Sequence, residues 1–176
     1  ARARVLYDKG TDRQAFFLGL VDKYSWRDTG SSFGLSDILA AALVGQLDVA
    51  EEIQAQRRRV FERYLDLLSG AAIEHGFTVP TIPDDCVPAY HLFHVLLPDH
   101  ATRTRVMAAM KTEGIATTFH YVPLHSSDGG RRFAAREVPC PVTDDISGRL
   151  VRLPFYNDLS DAEIDRVVSS FLGALS

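Results

Sequence analysis

Cysteine is scarce in this sequence of 176 residues, which contains only Cys86 and Cys140. Neither cysteine lies in a C-x-x-C pair, and no histidine stands at metal-ligand spacing from either one. The sequence therefore carries neither a disulfide framework nor a zinc motif. We expect two reduced thiols, as is usual in a reducing compartment.

Long apolar runs and an excess of basic residues are also missing. No apolar stretch approaches the roughly 20 residues that span a bilayer, and residues 1–9 lack the apolar segment and cleavage site of a signal peptide. The net charge of −4 argues against a general nucleic-acid binder, which usually has a basic balance. We therefore expect a cytoplasmic protein without a membrane or nucleic-acid partner.

The residues that are present suffice for one sizeable core, with 46% hydrophobic and 24% charged side chains. Apolar spacing and capping residues predict four main helices, at Ser36–Leu47, Val49–Glu74, Asp99–Glu113 and from the capping box of Ser160 and Glu163 onward. Two weaker helices are predicted near Arg131–Arg136 and after Thr143. Strand-like segments are predicted at Phe77–Val79, Tyr90–Leu97 and Ile115–Phe119. This order predicts an α+β fold, a short sheet with helices packed on it.

The stretch that is richest in polar chemistry reads F-H-Y-V-P-L-H-S-S over residues 119–127. It follows a predicted strand and opens a loop, which is a common location for functional residues. His120, Tyr121 and His125 offer donors and acceptors for a hydroxylated or phosphorylated ligand. Three arginines downstream are candidates to face a diphosphate: Arg131, Arg132 and Arg136. The alternative is a structural histidine at a strand end followed by solvated arginines.

A second candidate stretch contains Gly30, Ser31 and Ser32, just before the first long helix. Paired hydroxyls after a glycine can donate to a phosphate, but an ordinary loop with an N-cap explains them equally well. It is neither a Walker A loop nor a dinucleotide fingerprint. His91 and His94 lie three apart on a predicted strand, so they point to opposite faces, and we interpret them as structural.

Three segments together resemble DegT-type sugar aminotransferases: Gly10–Ala41, Phe119–Ser127 and Leu153–Leu159 (L-P-F-Y-N-D-L). Within that family they are most similar to the branch acting on TDP-4-keto-6-deoxyglucose. The resemblance implies a fold-type I enzyme, in which a large N-terminal domain binds pyridoxal 5'-phosphate and a small C-terminal α+β domain closes over the site. We therefore expect residues 1–48 to form an interface loop and linking helix, and residues 49–176 to form the small domain. The large domain is then absent from this chain.

The resemblance also bears on the catalytic lysine, which normally lies in an upstream S/T-K-N motif and forms a Schiff base with the cofactor. The only lysines here are Lys9, Lys23 and Lys111, and none lies in such a motif. We assign no catalytic residue and expect the chain alone to be inactive. The chain begins without Met, and residues 1–6 read like the middle of a helix. The gene product is therefore expected to start further upstream.

The family's other site residues are implied position by position. Relatives read G-x-N-x-R before the first helix, and their asparagine reaches the cofactor phosphate of the neighbouring subunit. Ser32 takes the place of that asparagine beside Ser31, while Gly34 leaves the arginine's place empty. The family's substrate-side motif matches His120, Tyr121 and His125, and its partner-subunit loop matches Trp26 and Arg27. A homodimer is implied.

The activity implied for the full-length protein is transfer of an amino group from glutamate to C4 of a TDP-4-keto-6-deoxy-hexose. A dehydratase of the same family, with histidine in place of the lysine, is one alternative. Another is a free-standing, non-catalytic domain that binds sugar nucleotides or a partner protein. The missing lysine favours this last alternative, whereas the start of the chain favours a piece of a larger enzyme.

Overall fold

The computed structural model describes residues 2–136 and 138–176. The chain divides into two compact units, Ala1–Ala50 and Glu51–Ser176. None of the helices in the described ranges combines the length and the apolar character needed to cross a bilayer.

The first unit contains α1 (Arg2–Tyr7), α2 (Arg13–Phe17) and α3 (Asp37–Asp48). The segment between α1 and α3, which the sequence predicted to be irregular, includes the short helix α2. Close backbone contacts shape this segment, since a Cβ on Gly30 would lie 2.1 Å from the Gly10 nitrogen. As predicted, Ser36 caps α3, because its hydroxyl accepts a hydrogen bond from the Leu39 amide at 3.3 Å.

The second unit carries nearly all of α4 and the remaining elements. They are α4 (Ala50–His75), β1 (Phe93–Leu96), α5 (His100–Thr112), a 3-10 turn (Leu124–Ser126), α6 (Asp128–Phe133), α7 (Pro141–Arg149), β2 (Leu150–Leu153) and α8 (Asp161–Leu175). The two strands form an antiparallel sheet. The predicted α+β class, a short sheet with helices packed on it, is confirmed.

The register of the sheet separates an apolar face from a polar one. Phe93 pairs with Leu153 and Val95 with Val151, and all four side chains are buried. Directly opposed residues in an antiparallel pair share a face. His94 and Arg152, which are paired with each other, therefore lie together on the opposite, half-buried face.

Helices α4, α5 and α8 supply the rest of the core against the apolar face. The Phe93 ring stacks on Tyr64 with centroids 5.0 Å apart and meets Phe61 edge-on at 5.1 Å. The other helices contribute fully or largely buried side chains, namely Val106 and Met110 from α5 and Ile164, Val167, Val168 and Phe171 from α8. Burying one such side chain contributes about 1.5–3 kcal/mol to stability.

The predicted N-cap at Ser36 and capping box at Ser160 are confirmed, whereas Thr143 does not cap α7. Asp99 caps α5 and accepts from the Thr102 amide at 2.8 Å. Ser160 and Glu163 form the predicted capping box of α8, and the donated hydrogen bonds lower the pKa of the Glu163 carboxyl. Gly76 ends α4 with a φ of +69°, a conformation that favours glycine.

The strand predictions are only partly correct. The predicted strand Ile115–Phe119 is wrong as a regular element, because only Thr118 pairs, exchanging backbone hydrogen bonds of 2.7 and 3.2 Å with Arg152. The predicted strand Tyr90–Leu97 shortens to β1, and Phe77–Val79 contributes a single bridge at Thr78. Strand β2 was not predicted, because it follows α7 directly and no turn separates the two.

Two short helices also begin earlier than predicted. Helix α6 starts at Asp128 and therefore includes Gly130, whose amide donates to the capping hydroxyl of Ser127 at 3.0 Å. A Cβ on Gly130 would lie 1.7 Å from the Leu124 carbonyl oxygen, so only glycine fits there. Helix α7 starts at Pro141 rather than after Thr143, since proline has the φ of a first helical turn and needs no N–H partner there.

His94 makes the stability of the second unit dependent on pH. Burial lowers the pKa of its imidazole below the ordinary 6.5, and the electrostatic interaction with His120 lowers it further. The unfolded chain therefore binds a proton more readily than the folded chain does. The contribution of neutral His94 to the free energy of unfolding is complete above pH 6.5. That contribution is lost as the pH falls through the lower pKa of the folded state.

We expect His94→Gln to flatten this acid limb, because glutamine does not titrate. Urea unfolding of both proteins between about pH 8 and pH 5 measures the effect. His91→Gln is the matched control, since His91 is exposed and lies outside β1. Equal pH slopes for the original chain and His94→Gln would contradict the prediction.

Candidate substrate site

His120, Tyr121 and Arg152 form one cluster on the polar face of the sheet. The rings of His120 and Tyr121 stack with centroids 4.3 Å apart. The Arg152 guanidinium donates through Nη1 to His120 Nδ1 at 3.3 Å and to the Tyr121 hydroxyl at 3.4 Å. Thr118 and β2 position these groups, because the backbone pairing of Thr118 with Arg152 brings the following residues over the sheet.

His94 extends this cluster from β1, where it lies directly opposite Arg152. It is half-buried, and its pKa responds to the charge of His120. The prediction placed His91 and His94 together on one strand, pointing to opposite faces. This is wrong for His91, which precedes β1 and is exposed.

His125 belongs to a different group of side chains from His120 and Tyr121. It lies on the 3-10 turn, and its Nε2 is 3.0 Å from Oδ1 of Asp144 on α7. A cavity of about 440 Å³ adjoins this pair, and its lining includes Arg131, Arg136 and Cys140. His125 therefore lines this cavity, whereas His120 and Tyr121 lie over the polar face of the sheet.

The downstream arginines do not act as one basic group. Arg131 donates to Asp128 at 2.7 Å and to the Ser126 carbonyl, so its charge is partly neutralised. Arg132 packs over the ring of Phe133, 5.1 Å from its centroid. Arg131 and Arg136 reach the cavity beside His125.

A second, smaller cavity lies beside Tyr121. It measures about 320 Å³, and its lining includes Tyr121, His100, Arg103 and Ser147. Arg103 donates through Nη1 to the Ser147 carbonyl at 2.8 Å, and its buried Nε has no hydrogen-bond partner among the described residues. Arg152 therefore contacts the Tyr121 hydroxyl, and Arg103 lines the same cavity as Tyr121.

In the first unit, Trp26 and Arg27 occupy the loop between α2 and α3. The Trp26 side chain is 77% exposed, and its Nε1 donates to the Asp28 carbonyl at 2.6 Å. Arg27 Nε donates to Asp12 Oδ2 at 2.6 Å. The Asp12 carboxyl also accepts from the Ser25 amide, and these hydrogen bonds lower its pKa. The indole face is thus open to a partner, while the guanidinium already has a carboxylate.

Ser31 and Ser32 lie on the same loop, and both are exposed. The pairing of Ser32 with Asp8 fixes the backbone beside α1, through a hydrogen bond of 3.1 Å from the Lys9 amide to the Ser31 carbonyl. Neither hydroxyl is hydrogen-bonded to another residue within 2–136 or 138–176. The two hydroxyls therefore fit a phosphate group as donors.

Neither a metal centre nor a buried lysine occurs in the part of the chain that the structure describes. No group of three or more His, Cys, Asp or Glu side chains there is arranged to hold a metal ion. Lys9, Lys23 and Lys111 are all exposed. Ser31 and Ser32 are the side chains that would donate to the phosphate of pyridoxal phosphate, and none of the three exposed lysines lies in a built site for it.

The sequence motifs do not single out Arg152. The available signal was its position in L-V-R-L, where one charged residue interrupts an apolar run just before the L-P-F-Y-N-D-L segment. Its proximity to His120, 32 positions earlier in the chain, depends on strand pairing and is not visible in the sequence.

The chain is similar in fold to several solved aminotransferase structures. TlmJ from Streptoalloteichus hindustanus matches with a TM-score of 0.81 and 24% identity, over 99% of this chain and 44% of that one. DesV from S. venezuelae matches with a TM-score of 0.81 and 25% identity, over 99% and 43%. Spr1654 from Streptococcus pneumoniae, described as a sugar aminotransferase and solved in its PMP form, matches with a TM-score of 0.77 and 20% identity, over 98% and 43%.

These matches confirm the predicted fold as part of an aminotransferase. The chain spans less than half the length of each of the three solved structures. A family model described as the DegT/DnrJ/EryC1/StrS aminotransferase family matches residues 1–172. Because that match covers nearly the whole sequence, this chain belongs to the DegT/DnrJ/EryC1/StrS aminotransferase family.

Proposed function

We propose that this chain is the C-terminal part of a pyridoxal-phosphate-dependent sugar aminotransferase. The observation that carries the proposal is the family match over residues 1–172. The full-length enzyme transfers an amino group from glutamate to C4 of a TDP-4-keto-6-deoxy-hexose. The motifs at Gly10–Ala41 and Phe119–Ser127 support this branch of the family.

The cofactor assignment is supported by a relative and by the first unit. Spr1654 from Streptococcus pneumoniae has been solved in both PLP and PMP forms. When bound, pyridoxal phosphate supplies the electron sink for the exchange of the amino group. Ser31 and Ser32 donate to its phosphate across the subunit interface, and their exposure leaves both hydroxyls available.

The substrate assignment is supported by the polar face of the second unit. His120 and Tyr121 present stacked rings with polar edges, which suit a sugar nucleotide because it combines hydroxyls with charged oxygens. His125 is oriented by Asp144 and contributes from the neighbouring cavity. Trp26 and Arg27 reach the same substrate from the partner subunit.

A homodimer is supported by the exposed apolar side chains of the first unit. Phe17, Trp26 and Phe33 are 69%, 77% and 68% exposed, and Ile38 on α3 is 82% exposed. Clustered apolar exposure of this kind marks interaction surfaces. We propose that a second copy covers part of this surface, in a protein of the cytoplasm.

A non-catalytic sugar-nucleotide-binding domain is the second candidate function. The observation that favours it is the absence of any lysine in an S/T-K-N motif, with all three lysines exposed. The intact mass of the native gene product distinguishes the two candidates. A product close to 19.5 kDa would favour the second candidate, and a product about twice as heavy would favour the enzyme.

We expect this chain alone to show no transaminase activity. A covalent cofactor requires a lysine in a built site, and the three lysines present are exposed. Borohydride reduction in the presence of pyridoxal phosphate, followed by peptide mass spectrometry, tests this directly. Stoichiometric labelling of one specific lysine would refute the assignment, whereas slow scattered labelling is expected of any exposed amine.

In the full-length enzyme, Ser32→Ala should weaken cofactor retention by about 0.5–3 kcal/mol, the contribution of a hydrogen bond to a charged group. The concentration of pyridoxal phosphate that restores half-maximal absorbance to the apoenzyme measures this affinity. Ser169→Ala is the control, because Ser169 is exposed on α8. Equal cofactor affinity in both variants would remove Ser32 from the site.

His120→Ala should raise the Michaelis constant for the sugar nucleotide, or lower turnover, by about tenfold, because one donor to the substrate is lost. The melting temperature should change by less than about 2 °C, since His120 lies outside the core. His91→Ala serves as the control for an exposed histidine. Normal kinetics together with a large loss of stability would show that His120 is structural.

A further inference from the structure

Arg152 occupies the centre of the polar sheet face. It lies directly opposite His94 of β1 on one side and exchanges both backbone hydrogen bonds with Thr118 on the other. Its side chain is half-buried, and its Nε is buried without a hydrogen-bond partner among the described residues. The backbone pairing on both sides fixes the Arg152 backbone and so limits the positions that its guanidinium can occupy.

The partners of Arg152 in the described ranges are neutral. No carboxylate there lies within 4.0 Å of its guanidinium. Other arginines of the second unit are differently placed, since Arg59, Arg63 and Arg149 each pair with an aspartate at 2.6 or 2.7 Å. A partly buried cation without a counter-ion is unfavourable. Arg152 is therefore a cation available to an anionic ligand.

The hydrogen bonds from Arg152 leave one donor free on each of its two side-chain partners, His120 and Tyr121. Arginine has donors only, so His120 Nδ1 and the Tyr121 oxygen must both act as acceptors toward Arg152. The proton of His120 then resides on Nε2, and the phenolic proton of Tyr121 points away from the guanidinium. Both rings thus have a donor left for a ligand. His94, which lies opposite Arg152, adds a third polar ring to this face.

The second arginine beside Tyr121 indicates what kind of anion fits. Arg103 lines the cavity of about 320 Å³ next to Tyr121, and its buried Nε also lacks a partner among the described residues. A carboxylate has one anionic centre, whereas a diphosphate has two linked centres that suit guanidinium donors. Arg152 donates to the Tyr121 hydroxyl and Arg103 lines the cavity that Tyr121 also lines, and two guanidinium groups suit a diphosphate better than a carboxylate.

We propose that Arg152, together with Arg103, His120 and Tyr121, binds the diphosphate of the nucleotide sugar and so anchors the substrate on the small domain. This inference rests on the proposed function, because that function supplies a nucleotide sugar. It adds a specificity-determining cation that the sequence motifs did not identify. The same face would bind inorganic pyrophosphate without any sugar or cofactor.

The test uses the 176-residue chain and three probes: inorganic pyrophosphate, TDP and thymidine. We expect pyrophosphate and TDP to bind, as measured by calorimetry, and thymidine not to bind. The C2 proton resonances of His94 and His120 should shift during the pyrophosphate titration. Arg152→Gln should weaken pyrophosphate binding by about 10-fold or more, because a charge-assisted hydrogen-bonding partner is lost.

Two further variants serve as a conservative replacement and as a charge-matched control for Arg152→Gln. Arg152→Lys should bind pyrophosphate with intermediate affinity, since lysine keeps the charge but loses the planar fork. If circular dichroism shows that Arg152→Gln is unfolded, Arg152→Lys is used in its place. Arg105→Gln is the charge-matched control, because Arg105 is exposed and donates to the carbonyl of Ala174 at the end of α8. Its affinity should stay within about twofold of the original.

The outcomes separate this inference from the proposed function. Pyrophosphate binding that is absent, or that is unchanged in folded Arg152→Gln, overturns the inference. Acetate serves as a further probe, and tighter binding of acetate than of pyrophosphate also overturns the inference, because the site then prefers a carboxylate. If the full-length protein shows no transaminase activity although pyrophosphate binds, the proposed function is contradicted and the anion site is not.

Discussion

The antiparallel pairing of β1 with β2 is the constraint on which the second unit depends. Side chains alternate between the two faces of a strand, so this register places Phe93, Val95, Val151 and Leu153 together in the core. The same register places Arg152 opposite His94 on the other face. A shift by one residue would bury the guanidinium and expose the apolar side chains. Core packing and the polar cluster are therefore consequences of a single pairing.

The polar cluster depends on a local imbalance of charge. Arg59, Arg63 and Arg149 pair with aspartates, whereas Arg152 contacts an imidazole and a phenol. Neutral partners orient the guanidinium without neutralising it, so it keeps its attraction for an anion. The cavity beside Tyr121 is lined by a second arginine, Arg103. In contrast, His125 faces its own carboxylate, Asp144, which holds the ring in one orientation.

The first unit exposes many of its large apolar side chains. Its loop is fixed by backbone pairing and by the close approach of Gly30 to Gly10, while its aromatic side chains lie outward. None of the described residues of α1, α2 or α3 is buried. The chain spans less than half the length of the solved structures that it matches.

Local chemistry determined those features that depend on neighbouring residues. The helix ends at Ser36, Asp99 and Ser160 and the class of the fold follow from capping and periodicity, and the family follows from contiguous motifs. Features that join distant residues were decided by tertiary structure. Strand β2 is too short to show a period, and Thr118 pairs only because Arg152 lies beside it. The contact between His120 and Arg152 exists because strand pairing closes 32 positions of chain, which no local pattern encodes.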